Sequence, residues 1–406
     1  MILGPVSLVD CLVFCAFLAP QLVWRVGLFQ TLLVALKILP FLVFHLPYQL
    51  LRDRVQWRAS AQLSPWESTV FEDLVVRCVR HAFRVIPSHV TRVFFSKEVT
   101  LPFLRWRMLR HGYMESPVYW KEHASQEGDT PTKGLWIKHK PDQPPDFVLY
   151  YIHGGGFALG SCYFYLEFLL SWHHLLVEAG YRNPAVFALN YTLVPEACYP
   201  TQMLEALQGY KHVLEVAGSP SRVCVAGDSA GGTLVLSLLL RLGTEALAHG
   251  KETLDSTIQA NGVPRICDLS PLDLPLPQMA ALISPWVRLK SNLHYPSTVD
   301  YLNRQTLWKY AQEYAGATML NQYLASPGSC IDEERWRASS PRRGYVVAFG
   351  EQEVFAPDIS DFINRRVRNS IEMKALRFDG GVHAWPVASL FLSSATETAR
   401  ALKASD

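Results

Sequence analysis

No Cys-x-x-Cys pair occurs in this 406-residue chain, although eight cysteines are scattered along it. That spacing excludes a zinc ribbon and a small-domain disulfide framework. Charge is equally scarce. Charged residues make up 18% of the chain and nearly cancel at a net +2, with no basic run interleaved with aromatics. We therefore expect no nucleic-acid partner. No lysine or arginine precedes Arg25, so the apolar start lacks the positive region of a cleavable signal peptide, and no small-residue cleavage site ends it. No internal repeat is visible. No metal-ligand cluster has a usable spacing, and we expect neither a metal nor an organic cofactor.

What is present is mostly apolar. Hydrophobic residues make up 49% of the chain, enough for one large α/β domain with extra segments or for two modest domains. Residues 2–23 are apolar except for Asp10 and Gln21, and residues 28–51 except for Gln30, Lys37, His45 and Gln49. Each run approaches the roughly 20 apolar residues that cross a bilayer. We expect residues 1–55 to attach the chain to a membrane, as spans or as an in-plane anchor. The alternative is a pair of helices packed on the rest of the chain. Arg52, Arg54 and Arg58 would draw their flank to the cytosol, but Arg25 and Lys37 leave the orientation open.

Ser64-Pro65-Trp66-Glu67 reads as a helix start, with Ser64 as cap, Pro65 at the first helical position and Glu67 reaching back. Phe71, Leu74, Val75, Cys78, Val79 and Phe83 then share one face. Residues 64 to about 112 are expected to be helical. Strand-like runs follow at residues 118–120, 135–137, 147–152, 186–189, 223–226, 280–283, 345–349 and 373–378. Short, continuously apolar runs alternating with helical ones imply a mostly parallel sheet covered on both faces. Residues 243–278, rich in proline, aspartate and small polar residues, read as a surface insertion.

Acyl transfer needs a nucleophile, a base, a group that orients the base, and donors for the oxyanion. Gly227-Asp228-Ser229-Ala230-Gly231 lies between a strand-like and a helix-like run. A sharp strand-to-helix turn there would present Ser229 at the top of the sheet. The strand at 147–152 runs into His153-Gly154-Gly155-Gly156, whose unobstructed amides at Gly155 and Gly156 would join that of Ala230 in an oxyanion hole. His383 follows the last strand on a glycine-flanked loop and is the expected base; His173, His174, His212 and His294 fit worse, and His153 is expected to brace the glycine loop. The acid should follow the penultimate strand, where Glu351, Glu353 and Asp358 compete. Glu353 is favoured, Glu351 is the nearest alternative, and Asp358 is expected to cap the next helix. Asn190-Tyr191-Thr192 is a formal glycosylation sequon, read as structural.

Together, His153-Gly154-Gly155-Gly156 and Gly227-Asp228-Ser229-Ala230-Gly231-Gly232 resemble the hormone-sensitive-lipase group of α/β-hydrolases. Asn190-Tyr191-Thr192-Leu193-Val194-Pro195-Glu196 with Tyr199-Pro200, and Leu282-Ile283-Ser284-Pro285-Trp286, are similar to two further signatures of that group. The resemblance covers about residues 116–400. It implies an α/β-hydrolase fold with an eight-stranded sheet, a helical cap over residues 56–115 and a catalytic domain over 116–406. The group's catalytic Asp falls on Glu353, a departure in residue type. Glu196 is expected to brace the loop with His153. Within the group, residues 160–168 and the apolar start look most like fungal steryl acetyl hydrolases, which are membrane-anchored. That resemblance implies a lipophilic ester substrate and a membrane-associated location, the endoplasmic reticulum. Phe157, Tyr163, Phe164 and Tyr165 would line a greasy entrance. Acyl transfer to an alcohol or amine through the same acyl-enzyme is the first alternative activity, and non-catalytic ligand binding is the second.

Overall fold

The computed structural model describes residues 2–59, 70–126, 130–252, 274–295, 297 and 299–392. All eight expected strands are present in one sheet: β1 (Tyr119–Ser125), β2 (Thr132–Lys138), β3 (Phe147–Ile152), β4 (Pro184–Leu189), β5 (Val223–Asp228), β6 (Met279–Ile283), β7 (Tyr345–Gly350) and β8 (Met373–Phe378). Their order is β1-β2-β4-β3-β5-β6-β7-β8. Pairing is antiparallel for β1–β2 and β2–β4 and parallel for the rest. The central strands β3, β4 and β5 are covered on both faces, which is why their sequences are unbroken apolar runs. β1 extends well past the expected 118–120. Its Lys121, Glu122 and His123 pair with β2 at the sheet edge, where half of a strand faces water and an apolar run is not required.

Two apolar layers cover the sheet. On one face, α8 (Thr201–Ala217) and α9 (Ala230–Glu252) pack Met203, Tyr210, Leu234 and Leu238 against β3 and β5. On the other, α7 (Leu166–Glu178) lies chiefly over β4 and packs Leu166, Leu169 and Leu170 in one cluster with Leu149, Tyr151, Val186 and Ala188. Each such side chain, fully buried, contributes about 1.5–3 kcal/mol. Further along lie α10 (Arg304–Met319), α11 (Glu333–Ala338), α12 (Ala356–Arg368) and α13 (Trp385–Leu392).

Among the described residues before the sheet lie α1 (Leu8–Val26), α2 (Leu28–Pro40), α3 (Leu46–Ala59), α4 (Val70–Val85), α5 (Ser88–Phe94) and α6 (Lys97–Arg110). A π-helical turn at Phe41–His45 joins α2 to α3 into one long rod. Residues expected to be helical from 64 to about 112 form, among the described ones, the three helices α4, α5 and α6. Pro87 separates the first two, because proline cannot donate to the helix and disfavours helical backbone before it. A second break falls at Phe95–Ser96, where Ser96 precedes α6 in extended backbone. The expected start at Ser64 lies outside the described residues. The insertion expected at 243–278 is described only at its two ends. α9 continues to Glu252, and Leu274 and Leu276 pack on the core; residues 253–273 lie outside the described residues.

Candidate active site

Ser229 stands between β5 and α9 with φ of 51°, a left-handed conformation that a side chain adopts only when its surroundings impose it. They do. Its amide donates to the Ile283 carbonyl at 2.9 Å, and its own carbonyl accepts from Thr233 and Trp286. The turn also needs bare backbone. A Cβ on Gly231 would lie 2.0 Å from the Ile152 carbonyl oxygen, so glycine lets α9 start against the end of β3. Ala230 is the first residue of α9, and its amide has no acceptor within the helix.

The glycine loop lies across from this elbow and is tied to it by Asp228. Asp228 Oδ1 accepts the Gly154 amide at 2.8 Å and the Tyr151 hydroxyl at 2.7 Å, while Oδ2 accepts the Tyr165 hydroxyl at 2.8 Å. Burial keeps this carboxyl above its usual range, against the pull of its three donors. With Gly154 so committed, Gly155 and Gly156 turn through φ of 106° and 63° and line the cavity beside Ser229. His153 is buried, bonds the Gly154 carbonyl through Nδ1 at 2.8 Å and stacks on Tyr191. Burial pushes its pKa down to about 4, so it stays neutral. Glu196 is exposed and pairs with Arg92 of α5, whose Nε donates to the Ala158 carbonyl just past the glycines. Its link to the loop is thus indirect.

His383 is buried and lines the same cavity as Ser229. Glu353 Oε2 faces its Nδ1 at 3.8 Å. That is beyond hydrogen-bond length, a slack common in unliganded sites. Glu353 Oε2 also accepts from Ser284 Oγ at 2.5 Å and from the Gly350 amide. Glu351, the alternative acid, is exposed. Asp358 does not cap α12. Phe355 occupies the cap position, and Asp358 sits inside the first turn, bonded to Arg288 and Ser291. Burial presses the His383 imidazole toward neutrality, but the facing Glu353 carboxylate, then the charges of Asp300 and Asp228, outweigh it and raise its pKa. Burial likewise raises the pKa of Glu353, opposed by His383 and Ser284.

The four other candidate histidines lie elsewhere. His173 bonds the Pro184 carbonyl, half-buried His174 pairs with Glu178, His212 accepts from Trp136, and His294 accepts from Trp308. Asn190 accepts the Cys162 amide.

Three neighbours of the site escaped sequence reasoning. Asp300, fully buried, accepts the Val354 amide with Oδ2 at 2.8 Å and the His383 amide with Oδ1 at 3.2 Å, clamping the Glu353 loop to the His383 loop. Ser284, at φ of 45°, bridges Glu353 and the Ala384 amide. The Tyr301 hydroxyl donates to the His383 carbonyl. Asp300 and Tyr301 belong to no motif, and Ser284 was visible only as part of a strand end.

The cavity has a volume of about 480 Å³ and mainly apolar walls, among them Val75, Val79 and Phe83 of α4, Phe94 of α5, Leu302, and Val387 of α13. Phe14 of α1 also reaches it. Of the aromatics expected at its entrance, Phe164 and Tyr165 line it. Phe157 does not: it is buried in the core, stacked at 3.7 Å on Tyr314. Tyr163 lies under the Lys97 ammonium, outside the cavity wall.

Residues 149–387 match the α/β hydrolase fold family. The chain is 29% identical over 178 residues to mouse (Mus musculus) hormone-sensitive lipase, covering 40% of this chain and 22% of that one. It is 31% identical over 209 residues to an acetyl-hydrolase of Streptomyces hygroscopicus, covering 49% and 58%. It is 25% identical over 287 residues to mug81 of Schizosaccharomyces pombe, a protein provisionally named a steryl acetyl hydrolase, covering 68% of each. The chain thus spans about a fifth of the mouse lipase and under two thirds of the Streptomyces protein. Among solved structures, an esterase of the bacterial hormone-sensitive lipase family superposes with a TM-score of 0.59 at 21% identity, covering 82% of this chain and 97% of that one. With its family match spanning more than half its length, this chain belongs to the α/β-hydrolase fold family.

Proposed function

We propose that the chain is a serine carboxylic-ester hydrolase for lipophilic esters, such as an acetylated sterol, terpenoid or polyketide-type metabolite. One observation carries the reading: Ser229, His383, Gly155 and Gly156 converge on a single apolar cavity. In this reading Ser229 Oγ attacks the ester carbonyl while His383 takes its proton. The tetrahedral oxyanion is held by the amides of Gly155, Gly156 and Ala230, each worth about 2.7–4 kcal/mol of barrier. His383 then returns the proton to the leaving alkoxide, and water repeats the sequence on the acyl-enzyme. Glu353 orients the imidazole. The apolar walls favour an ester with a large hydrocarbon portion, and the relatives named acetyl-hydrolase and steryl acetyl hydrolase support an acetate.

Ser229→Ala and His383→Ala are each expected to lower turnover of a nitrophenyl acetate by about 10⁴-fold or more without unfolding the chain. A fluorophosphonate should label Ser229 in the parent chain alone. Retained turnover in both variants would overturn the reading. Metabolite profiling of cells carrying Ser229→Ala would then identify the natural ester as the species that accumulates.

A further inference from the structure

Several polar residues that interrupt the amino-terminal apolar runs face the helices beneath them. Asp10 is fully buried and pairs with Arg107 and Arg110 of α6, and Trp106 donates to it. Arg107 in turn holds Glu167 in a two-bond fork. At the other end of α1, Arg25 pairs with Glu98. Asp10 meets the end of α6 and Arg25 its start, so α1 lies antiparallel along α6, held at both ends. The long rod repeats this on the next helices. Gln30 faces His89, Phe41 stacks on His81 at 3.9 Å, and Gln49 and Asp53 both meet Arg77 of α4. On the outward side both rods expose mainly hydrocarbon, with Leu8, Leu12 and Trp24 on one and Leu32, Leu36 and Phe44 on the other; Lys37 is exposed among them, on a stem long enough for its ammonium to reach the headgroups.

Leu8–Val26 and Leu28–Asp53 have mean hydropathies of 1.6 and 1.8 and sufficient length to cross a bilayer. Crossing would drag their clamped partners along. α6 carries Lys97, Arg105, Arg107 and Arg110, and α4 carries Asp73, Arg77, Arg80 and Arg84; a charge at the bilayer centre costs about 2.5–3.5 kcal/mol even on the most lenient scale. Lying flat avoids that cost, because only the bare sides enter the acyl region. The same helices also border the cavity. Phe14 of α1 forms part of its wall, and Val79 of α4 lines it while remaining 41% exposed.

We propose that residues 8–53 lie flat in one leaflet of a phospholipid bilayer, and that the ester passes from that leaflet into the cavity between Phe14 and Val79. This rests on the esterase reading above. An epitope inserted at Gly27, where no neighbour crowds the backbone, should be open to antibody on sealed phosphatidylcholine vesicles that carry the catalytic domain outside. A shielded epitope would mean a spanning hairpin and overturn the proposal. Independently, Leu12→Asp combined with Trp24→Asp and Leu36→Asp should abolish flotation with vesicles. It should also lower hydrolysis of vesicle-dissolved hexadecyl acetate at least tenfold, with nitrophenyl acetate hydrolysis in water kept within twofold. Undiminished hydrolysis of hexadecyl acetate, or an equal loss on both esters, would overturn the proposal while leaving the esterase reading intact. Failure of the parent chain on nitrophenyl acetate would overturn both.

Discussion

At His383 two buried carboxylates act on one imidazole, and they do so differently. Glu353 faces the ring, whereas Asp300 takes the backbone amides of His383 and Val354 and so sets where ring and acid stand. Both negative charges favour imidazolium, so the pKa of His383 lies above its ordinary value of about 6.5. A base must be neutral to accept the serine proton. The acid limb of kcat/KM is therefore expected above pH 6.5, with activity lost as pH falls through it. Glu353→Gln removes a charge that stabilises imidazolium, so that limb should move to lower pH while kcat falls by about 10²–10⁴-fold. Asp300→Asn should move it the same way with a smaller loss in kcat, since Asp300 positions without touching the ring. A pH–rate series on the three proteins checks both expectations; an unmoved limb would assign Glu353 a purely structural role. Of these residues, Glu353 was legible as a carboxylate at a set place after a strand. Asp300 was not, because its role depends on two amides brought together from loops 54 and 83 residues away.

Among elements, strands were read more reliably than helices. A strand buried on both faces must be an unbroken apolar run, and β3 and β5 are such runs. The helices over the site were legible as helical, whereas their breaks at Pro87 and Ser96 come from backbone chemistry that the apolar spacing does not carry. The elbow is the element with least tolerance. Gly231→Ala would set a Cβ 2.0 Å from a main-chain oxygen of β3, which no side-chain rotation relieves. We expect a loss of about 3 kcal/mol or more, beyond ordinary overpacking, with a correspondingly lower thermal midpoint. A calorimetric midpoint within a degree of the parent would contradict this packing.

For the molecule as a whole, the amino-terminal rods join what separate segments of sequence suggested were an anchor and a catalytic unit. Asp10→Ala leaves Arg107 buried with Glu167 as its one remaining ion-pair partner among the described residues. Because one carboxylate remains, the cost is expected to be about 1–3 kcal/mol, at or below the range for breaking a buried pair outright. Thermal unfolding of the full chain measures it. Activity toward bulky esters should fall as well, since α1 carries the Phe14 wall of the cavity.

The amino-acid sequence by itself determined the eight strands, the turn at Ser229, the glycine loop and the glycine-flanked loop at His383, because each depends on local backbone chemistry or on a continuous apolar run. Sequence favoured Glu353 over Glu351 and Asp358, but only the tertiary structure shows that Glu353 faces His383 and what Asp300 does. It also decided that polar residues in the apolar amino-terminal runs bind the helices below. Those outcomes depend on which groups share a buried space, and burial is settled only when distant segments pack.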